Sequence, residues 1–172
     1  MQKHITITLL FFCFLYSMDA DHIIFNKIVI APSEAELVSI YNPTESAIDL
    51  SDYYLSDAEY ENSATGESTH YYNLPNENDF WSGYSSDFIV RFPLNTIIDA
   101  HETIIIALAE QSIFDSYYGD YYLNATILYL QTDMLNAIDD QNTIGASANL
   151  ADDEPLILFK WNGNANSLVQ DV

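Results

Sequence analysis

Carboxylates are the side chains most able to do chemistry in this sequence, and they come in clusters. Asp49, Asp52, Asp57, Glu59 and Glu61 follow one apolar run, while Asp139-Asp140 and Asp152-Asp153-Glu154 lie in polar connections further on. Oxygen-rich loops of this kind suit calcium, which takes six to eight oxygen ligands from carboxylates and main-chain carbonyls. Asp139, Asp140, Asp152 and Asp153 are the candidate metal ligands, although neither cluster has the spacing of an EF-hand loop or a glycine-rich calcium repeat. The competing reading is structural: Asp49 bonds the backbone of its own turn and the other acids solvate loops. Calcium is thus the one candidate ion, and no cofactor is implied.

Catalytic hydrolysis needs a nucleophile, a base and an orienting group within hydrogen-bond reach. Beyond residue 20 the histidines are His22, His70 and His101, spread along the chain with no pair at metal-ligand spacing. No serine sits in a Gly-x-Ser-x-Gly elbow. The expectation is a non-enzyme. Aromatic residues offer a different chemistry. Tyr53-Tyr54, Tyr71-Tyr72, Phe80-Trp81, Tyr84, Tyr117-Tyr118 and Tyr121-Tyr122 exceed what one small core needs. In adjacent pairs on a strand one ring faces in and the other out. Tyr54, Tyr72, Trp81 and Tyr84 are therefore candidates for an exposed patch that binds protein or sugar, against the plainer reading that rings cover sheet edges and a helix contact.

The charge narrows the partners. The formal net charge is −22, and beyond residue 20 only Lys27, Arg91 and Lys160 oppose twenty-five acids, the total of 26 less Asp19. Such a surface repels phosphate backbones and anionic lipid heads, so nucleic acid is not an expected partner.

The elements that must position these residues are mostly strands. Met1 to His4 is a short basic start, Ile5 to Tyr16 a mostly apolar run, and Ser17 to Ala20 a small-residue exit. This is the layout of a secretory signal peptide over residues 1–20, too short for a comfortable membrane span. The expected location is secreted, periplasmic or cell-surface, with no membrane insertion after cleavage. Cys13, the single cysteine, falls in that segment, so the remaining chain has no disulfide framework.

Ile23 to Ala31 is β-rich. Leu37 to Tyr41 and Ile48 to Leu50 flank the turn segment Asn42-Pro43-Thr44-Glu45-Ser46, which reads as a hairpin, with Val38 and Ile40 facing one way and Ser39 the other. Asp49 and Asp52 bracket a second tight turn before Tyr53-Tyr54-Leu55. Ala58 to Asn78 is a long polar excursion, with a short strand expected at Thr69–Tyr72. Phe88 to Phe92 is a strand ended by Pro93. Thr103 to Leu108 is almost continuously apolar, the pattern of a strand covered on both faces. Glu110 to Tyr118 is the one helix, with Ile113, Phe114 and Tyr117 at helical spacing and Gly119 placed to end it. Asn124 to Leu130, Leu156 to Trp161 and Ser167 to Val172 are further strands, and Asp133 to Asp153 a polar connection. Many short strands with one helical insert and long polar loops imply an all-β sandwich of two sheets.

The stretch Ala35 to Pro43, followed by Ile48-Asp49-Leu50-Ser51, resembles the opening of the lamin tail domain, closest to its secreted bacterial members. Arg91-Phe92-Pro93 before the strand pair of Ile97 to Leu108 comes next in the family's order. The helix end Phe114 to Gly119 follows, then the closing segments Leu156-Ile157-Leu158-Phe159, Trp161-Asn162-Gly163 and Leu168 to Val172. Lys27 stands where family members often carry glutamate, and Asp52 and His101 where they often carry glycine. The resemblance implies an immunoglobulin-like β-sandwich over residues 22–172. The final run, Leu168 to Val172, stops without a turn or a polar tail and reads as a strand cut short, so a continuation of the natural chain is an expectation. The resemblance carries no catalytic signature. It implies protein and DNA contacts in nuclear lamins and, in bacteria, an accessory module beside secreted hydrolases or on the cell surface. The expected function is a secreted, non-catalytic binding or scaffolding module contacting protein or surface polysaccharide. The alternative is an accessory domain of an extracellular nuclease or phosphatase whose catalytic part lies beyond Val172.

Overall fold

Thr103–Ala107 is apolar at nearly every position because both of its faces are covered. In the computed structural model, which describes residues 20–58, 71–76, 80–81, 83–152 and 154–172, this segment is strand β7 of eleven. The others are β1 (Ile24–Val29), β2 (Leu37–Tyr41), β3 (Ile48–Asp49), β4 (Tyr53–Ser56), β5 (Ile89–Arg91), β6 (Ile97–Ile98), β8 (Thr126–Tyr129), β9 (Leu135–Asn136), β10 (Ile157–Lys160) and β11 (Gln170–Asp171). One α-helix, α1 (Gln111–Tyr118), lies between β7 and β8. The described chain is thus mainly β, and among the described residues no helix is long and apolar enough to cross a membrane.

The strands form a sheet in the order β1-β2-β7-β8, a second in the order β11-β10-β4-β5-β9, and the small pair β3-β6. Side-chain alternation assigns the faces. Val38, Ile40, Ile104 and Ile106 of the first sheet share one buried cluster with Tyr53, Leu55, Val90 and Leu158 of the second. The opposite face of the first sheet, Leu37, Ile105 and Ala107, is covered by Phe114 of α1, with Tyr118, Tyr122 and Tyr129 around it. The opposite face of the second sheet, Tyr54, Ile89 and Phe159, is covered by Leu74, Phe80 and Trp161. Apolar layers therefore lie outside both sheets as well as between them. This explains why β2 and β4 lack a solvent face, and why Ser39 is buried despite its outward register.

Several sequence expectations are corrected. Leu37–Tyr41 and Ile48–Asp49 do not form a hairpin: β2 pairs with β1 and β7, and β3 pairs with β6. The turn chemistry between them does operate. The buried Asn42 accepts from the Thr44 main-chain N (3.0 Å) and Oγ1 (2.8 Å), and its Nδ2 donates to the carbonyls of Ser46, Ile98 and Asp99. One side chain thereby ties its own loop to the β6–β7 turn. Tyr71 and Tyr72 stand in a 3-10 helix over Tyr71–Asn76 rather than a strand. Residues 69 and 70, like residues 1–19 of the candidate leader 1–20, lie outside the described residues. The polar connection after Asp133 contains β9 and a bridge from Ile144 to Phe88.

The β7–β8 pair is parallel, which requires a crossover rather than a tight turn. Helix α1 supplies it. Its inward stripe is Phe114 and Tyr118, four residues apart, while Ile113 and Tyr117 are exposed. The main-chain N of Gly119 donates to the Asp115 carbonyl (2.9 Å), closing the helix in ordinary right-handed geometry. Among the described non-glycine residues, Asn95 at φ 65° and His101 at φ 61° adopt a left-handed backbone, and His101 is one of the positions where the resembled family often carries glycine.

Candidate functional site

The residues singled out from the sequence do not assemble as expected. Tyr54 is 1% exposed. It stacks on Phe159 (ring centroids 5.2 Å apart) and lies 6.1 Å from Trp161, so it belongs to the core and not to a surface. The reason is the added layer outside the second sheet, which buries the outward ring of the Tyr53-Tyr54 pair. Trp81 is half-buried against the same cluster. Tyr72 and Tyr84 are exposed. Asp139, Asp140 and Asp152 are all exposed, and Asp153 lies outside the described residues. Among the described residues no three His, Cys, Asp or Glu side chains converge in a way that could hold a metal ion, Asp139, Asp140 and Asp152 included. Asp139 instead faces Arg91 at 3.8 Å. Asp49 accepts from the main-chain N (2.9 Å) and Oγ (2.6 Å) of Ser51, the local turn role anticipated for it, and these bonds hold its carboxyl below the usual range.

Buried acids form a different group. Asp57, Asp87 and Glu36 are each at most 2% exposed. The Asp57 Oδ1 accepts from the Phe88 main-chain N at 2.6 Å, clamping the end of β4 to the start of β5. Among the described residues its Oδ2 has no hydrogen-bond partner, nor has the Oδ2 of Asp87. Burial, reinforced by the charges of Glu154 and Asp87, pushes the Asp57 carboxyl up to about 9. Glu36 accepts from the Leu150 main-chain N (2.9 Å), and burial raises its pKa as well. The described cations are engaged elsewhere. Lys160 sits 4.6 Å above the Tyr53 ring, Arg91 faces Asp139, and Lys27 belongs to the helix side.

That helix side is where exposed aromatic groups are held on a firm base. The run Tyr117-Tyr118-Gly119-Asp120-Tyr121-Tyr122 places two tyrosine pairs across the end of α1. In each pair one ring turns inward. Phe114 meets Tyr118 at 5.0 Å and Tyr122 at 6.1 Å, and Tyr118 meets Tyr122 at 5.5 Å. The Tyr118 hydroxyl donates to the Ala35 carbonyl (2.9 Å), which fastens the helix to the segment before β2; burial raises this phenol's pKa. The outward rings remain free to meet a partner: Tyr117 is 52% and Tyr121 78% exposed.

Two clefts flank Tyr121. One, of about 330 Å³, lies on the helix side between Tyr117 and Asp120. The other, of about 450 Å³, lies at the start of β7 and β8 and is lined by Glu102, Asp120, Tyr121 and Tyr122. Lys27 reaches this ring set from β1. Its Nζ donates to the Tyr122 hydroxyl (2.9 Å) and lies 5.7 Å and 5.5 Å from the Tyr121 and Tyr122 ring centroids. The hydrogen bond raises the lysine's pKa. Sequence reading noted both tyrosine pairs but did not assign them to a surface. Their signal was the doubled pair across a helix-ending glycine, which puts alternate rings on opposite sides of a turn.

Comparison with protein-family models and with curated proteins finds no match to this chain.

Proposed function

We propose that this chain is a secreted, non-catalytic binding or scaffolding module, built as an immunoglobulin-like β-sandwich of the lamin tail type. It contacts a protein or a surface polysaccharide through the face formed by Tyr117 and Tyr121. The observation that carries this reading is the pairing of exposed and anchored rings. Tyr117 and Tyr121 are more than half exposed, while their neighbours Tyr118 and Tyr122 are packed on Phe114. Rigid aromatic groups of this kind give contact area at little cost in conformational entropy, and such rings dominate binding energies at interfaces. Secretion rests on the leader-like residues 1–20, and the lamin tail assignment on the order of the resembling segments.

The test is a screen of the folded chain against immobilised extracellular proteins and glycans, run beside the double variant Tyr117→Ala/Tyr121→Ala. A ligand held by the wild type and lost in the variant is the expected result. Ligands retained equally by both would remove this face from the function, and the absence of any ligand would remove the binding reading.

A further inference from the structure

We infer that the cleft at the start of β7 and β8 receives the cationic side chains of a lysine- or arginine-rich protein segment, between the Tyr121 ring and the carboxylates of Asp120 and Glu102. This deepens the binding reading above and rests on it. Three observations converge. First, the cleft joins exposed aromatic surface to acid: Tyr121, Tyr122, Asp120 and Glu102 line one cavity of about 450 Å³. A ring face attracts a cation through its quadrupole, and a carboxylate beside it supplies the counter-charge. Second, the same rings already receive an ammonium group. Lys27 Nζ approaches both Tyr121 and Tyr122 and donates to the Tyr122 hydroxyl. Lys27 thereby takes up the Tyr122 hydroxyl, and its charge opposes a second cation beside that ring, so an incoming side chain is left the open part of the Tyr121 ring and the carboxylates of Asp120 and Glu102. With Tyr121 78% exposed, most of that ring remains open to a partner.

Third, the charge of the whole chain selects the partner. At −22, the molecule repels a second copy of itself and any polyanion, and it draws polycations toward every acidic cleft. Electrostatic steering alone would be indifferent to the site. The rings localise it, because a cation held over an aromatic face is worth more than one held by diffuse charge. Glu102 is not free to move: its Oε2 accepts from the Asp99 main-chain N (2.8 Å) and its Oε1 from the Thr126 hydroxyl (3.1 Å). The Glu102 carboxylate is therefore held in place in the cleft lining, beside the exposed Asp120 and Tyr121.

The test titrates fluorescently labelled deca-lysine with the folded chain at about 0.15 M salt, where exposed charges more than about 8 Å apart are largely screened. Tyr121→Leu is expected to weaken binding about two- to fivefold, the worth of an exposed cation–π contact, while Tyr121→Phe keeps wild-type affinity. Asp120→Asn should also weaken it, and by more than Asp139→Asn/Asp140→Asn, which removes two exposed charges outside the cleft. Equal binding by wild type and Tyr121→Leu would overturn the inference, because attraction would then be charge without a site. Failure of deca-lysine to bind would also overturn it. If a neutral glycan or an acidic protein from the screen is nevertheless lost in Tyr117→Ala/Tyr121→Ala, the binding reading survives the inference. If nothing binds, both fall.

Discussion

Replacing Asp57 with asparagine should make this protein less sensitive to alkaline pH, and the size of the effect follows from burial. The Asp57 carboxyl titrates near 9 in the folded chain against an ordinary value of 3.8. A carboxyl raised on folding favours the native state most below its unfolded pKa, and that advantage is lost as pH rises toward the folded value. Between about pH 4 and pH 9 the native state therefore holds one more proton than the unfolded chain, and stability falls by about 1.4 kcal/mol per pH unit. At pH 7 the accumulated cost is about 4 kcal/mol, an upper value because relaxation around the buried charge reduces it. An asparagine side chain at this position would keep the Oδ1 that accepts from the Phe88 main-chain N and carry no charge at any pH. Wild type and variant should thus be closest in stability near pH 4 and diverge steadily above it, with Asp57→Asn the more stable by pH 8. Urea unfolding at half-unit steps of pH, read at constant denaturant slope, measures this. The raised Glu36 carboxyl contributes a slope of the same sign to both proteins, so it cancels in the difference. Parallel stability curves for the two proteins would refute the argument that Asp57 is buried and protonated.

Three further outcomes follow from the packing. Ile106 is fully buried between the sheets, so Ile106→Ala should cost about 2–5 kcal/mol in chemical denaturation; a loss under about half a kcal/mol would mean that β7 is peripheral. Asn42→Ala leaves the Ile98 and Asp99 carbonyls without their side-chain donor, while Ser46 keeps the Thr44 hydroxyl, and should cost about 2–4 kcal/mol by the same measurement. His101→Gly relieves a left-handed backbone at φ 61° while giving up only exposed contacts to Glu45 and Tyr41, each at 3.4 Å. Its melting temperature should stay level or rise, and a fall equivalent to more than about 1 kcal/mol would show that those contacts outweigh the strain.

What the sequence disclosed tracks how locally each feature is determined. The unbroken apolar run of β7 was readable because it needs apolar residues on both faces, and α1 because its periodicity lies within eight residues. The Asn42 loop was readable as turn chemistry, but its bonds to Ile98 and Asp99 were not, since they span more than fifty residues. The same distance hid the pairing of β2 with β7 and of β3 with β6, which a short intervening turn made look like one hairpin. β9 was missed because two residues in a polar stretch become a strand only when β5 supplies their partner. The Tyr54 expectation failed for a related reason. Alternation gives its direction, but only the fold shows that another layer lies in that direction. The face of Tyr117 and Tyr121 was half visible, as paired rings with no indication of which pair would remain exposed.

The separation of the aromatic residues also divides the molecule optically. Both tryptophans, Trp81 and Trp161, pack in the cluster outside the second sheet, while the cluster under α1 contains tyrosine and phenylalanine without tryptophan. Indole emission therefore watches one flank of the protein and ignores the other. Detachment of the helix would leave the tryptophan signal intact while changing the environment of Tyr118 and Tyr122, whose near-ultraviolet ellipticity would report it. Because agreement between independent probes is the criterion of a single cooperative transition, this chain carries its own two-channel record of whether its flanks melt together. It also lets ligand capture beside Tyr121 be followed in tyrosine absorption against a tryptophan reference that does not move.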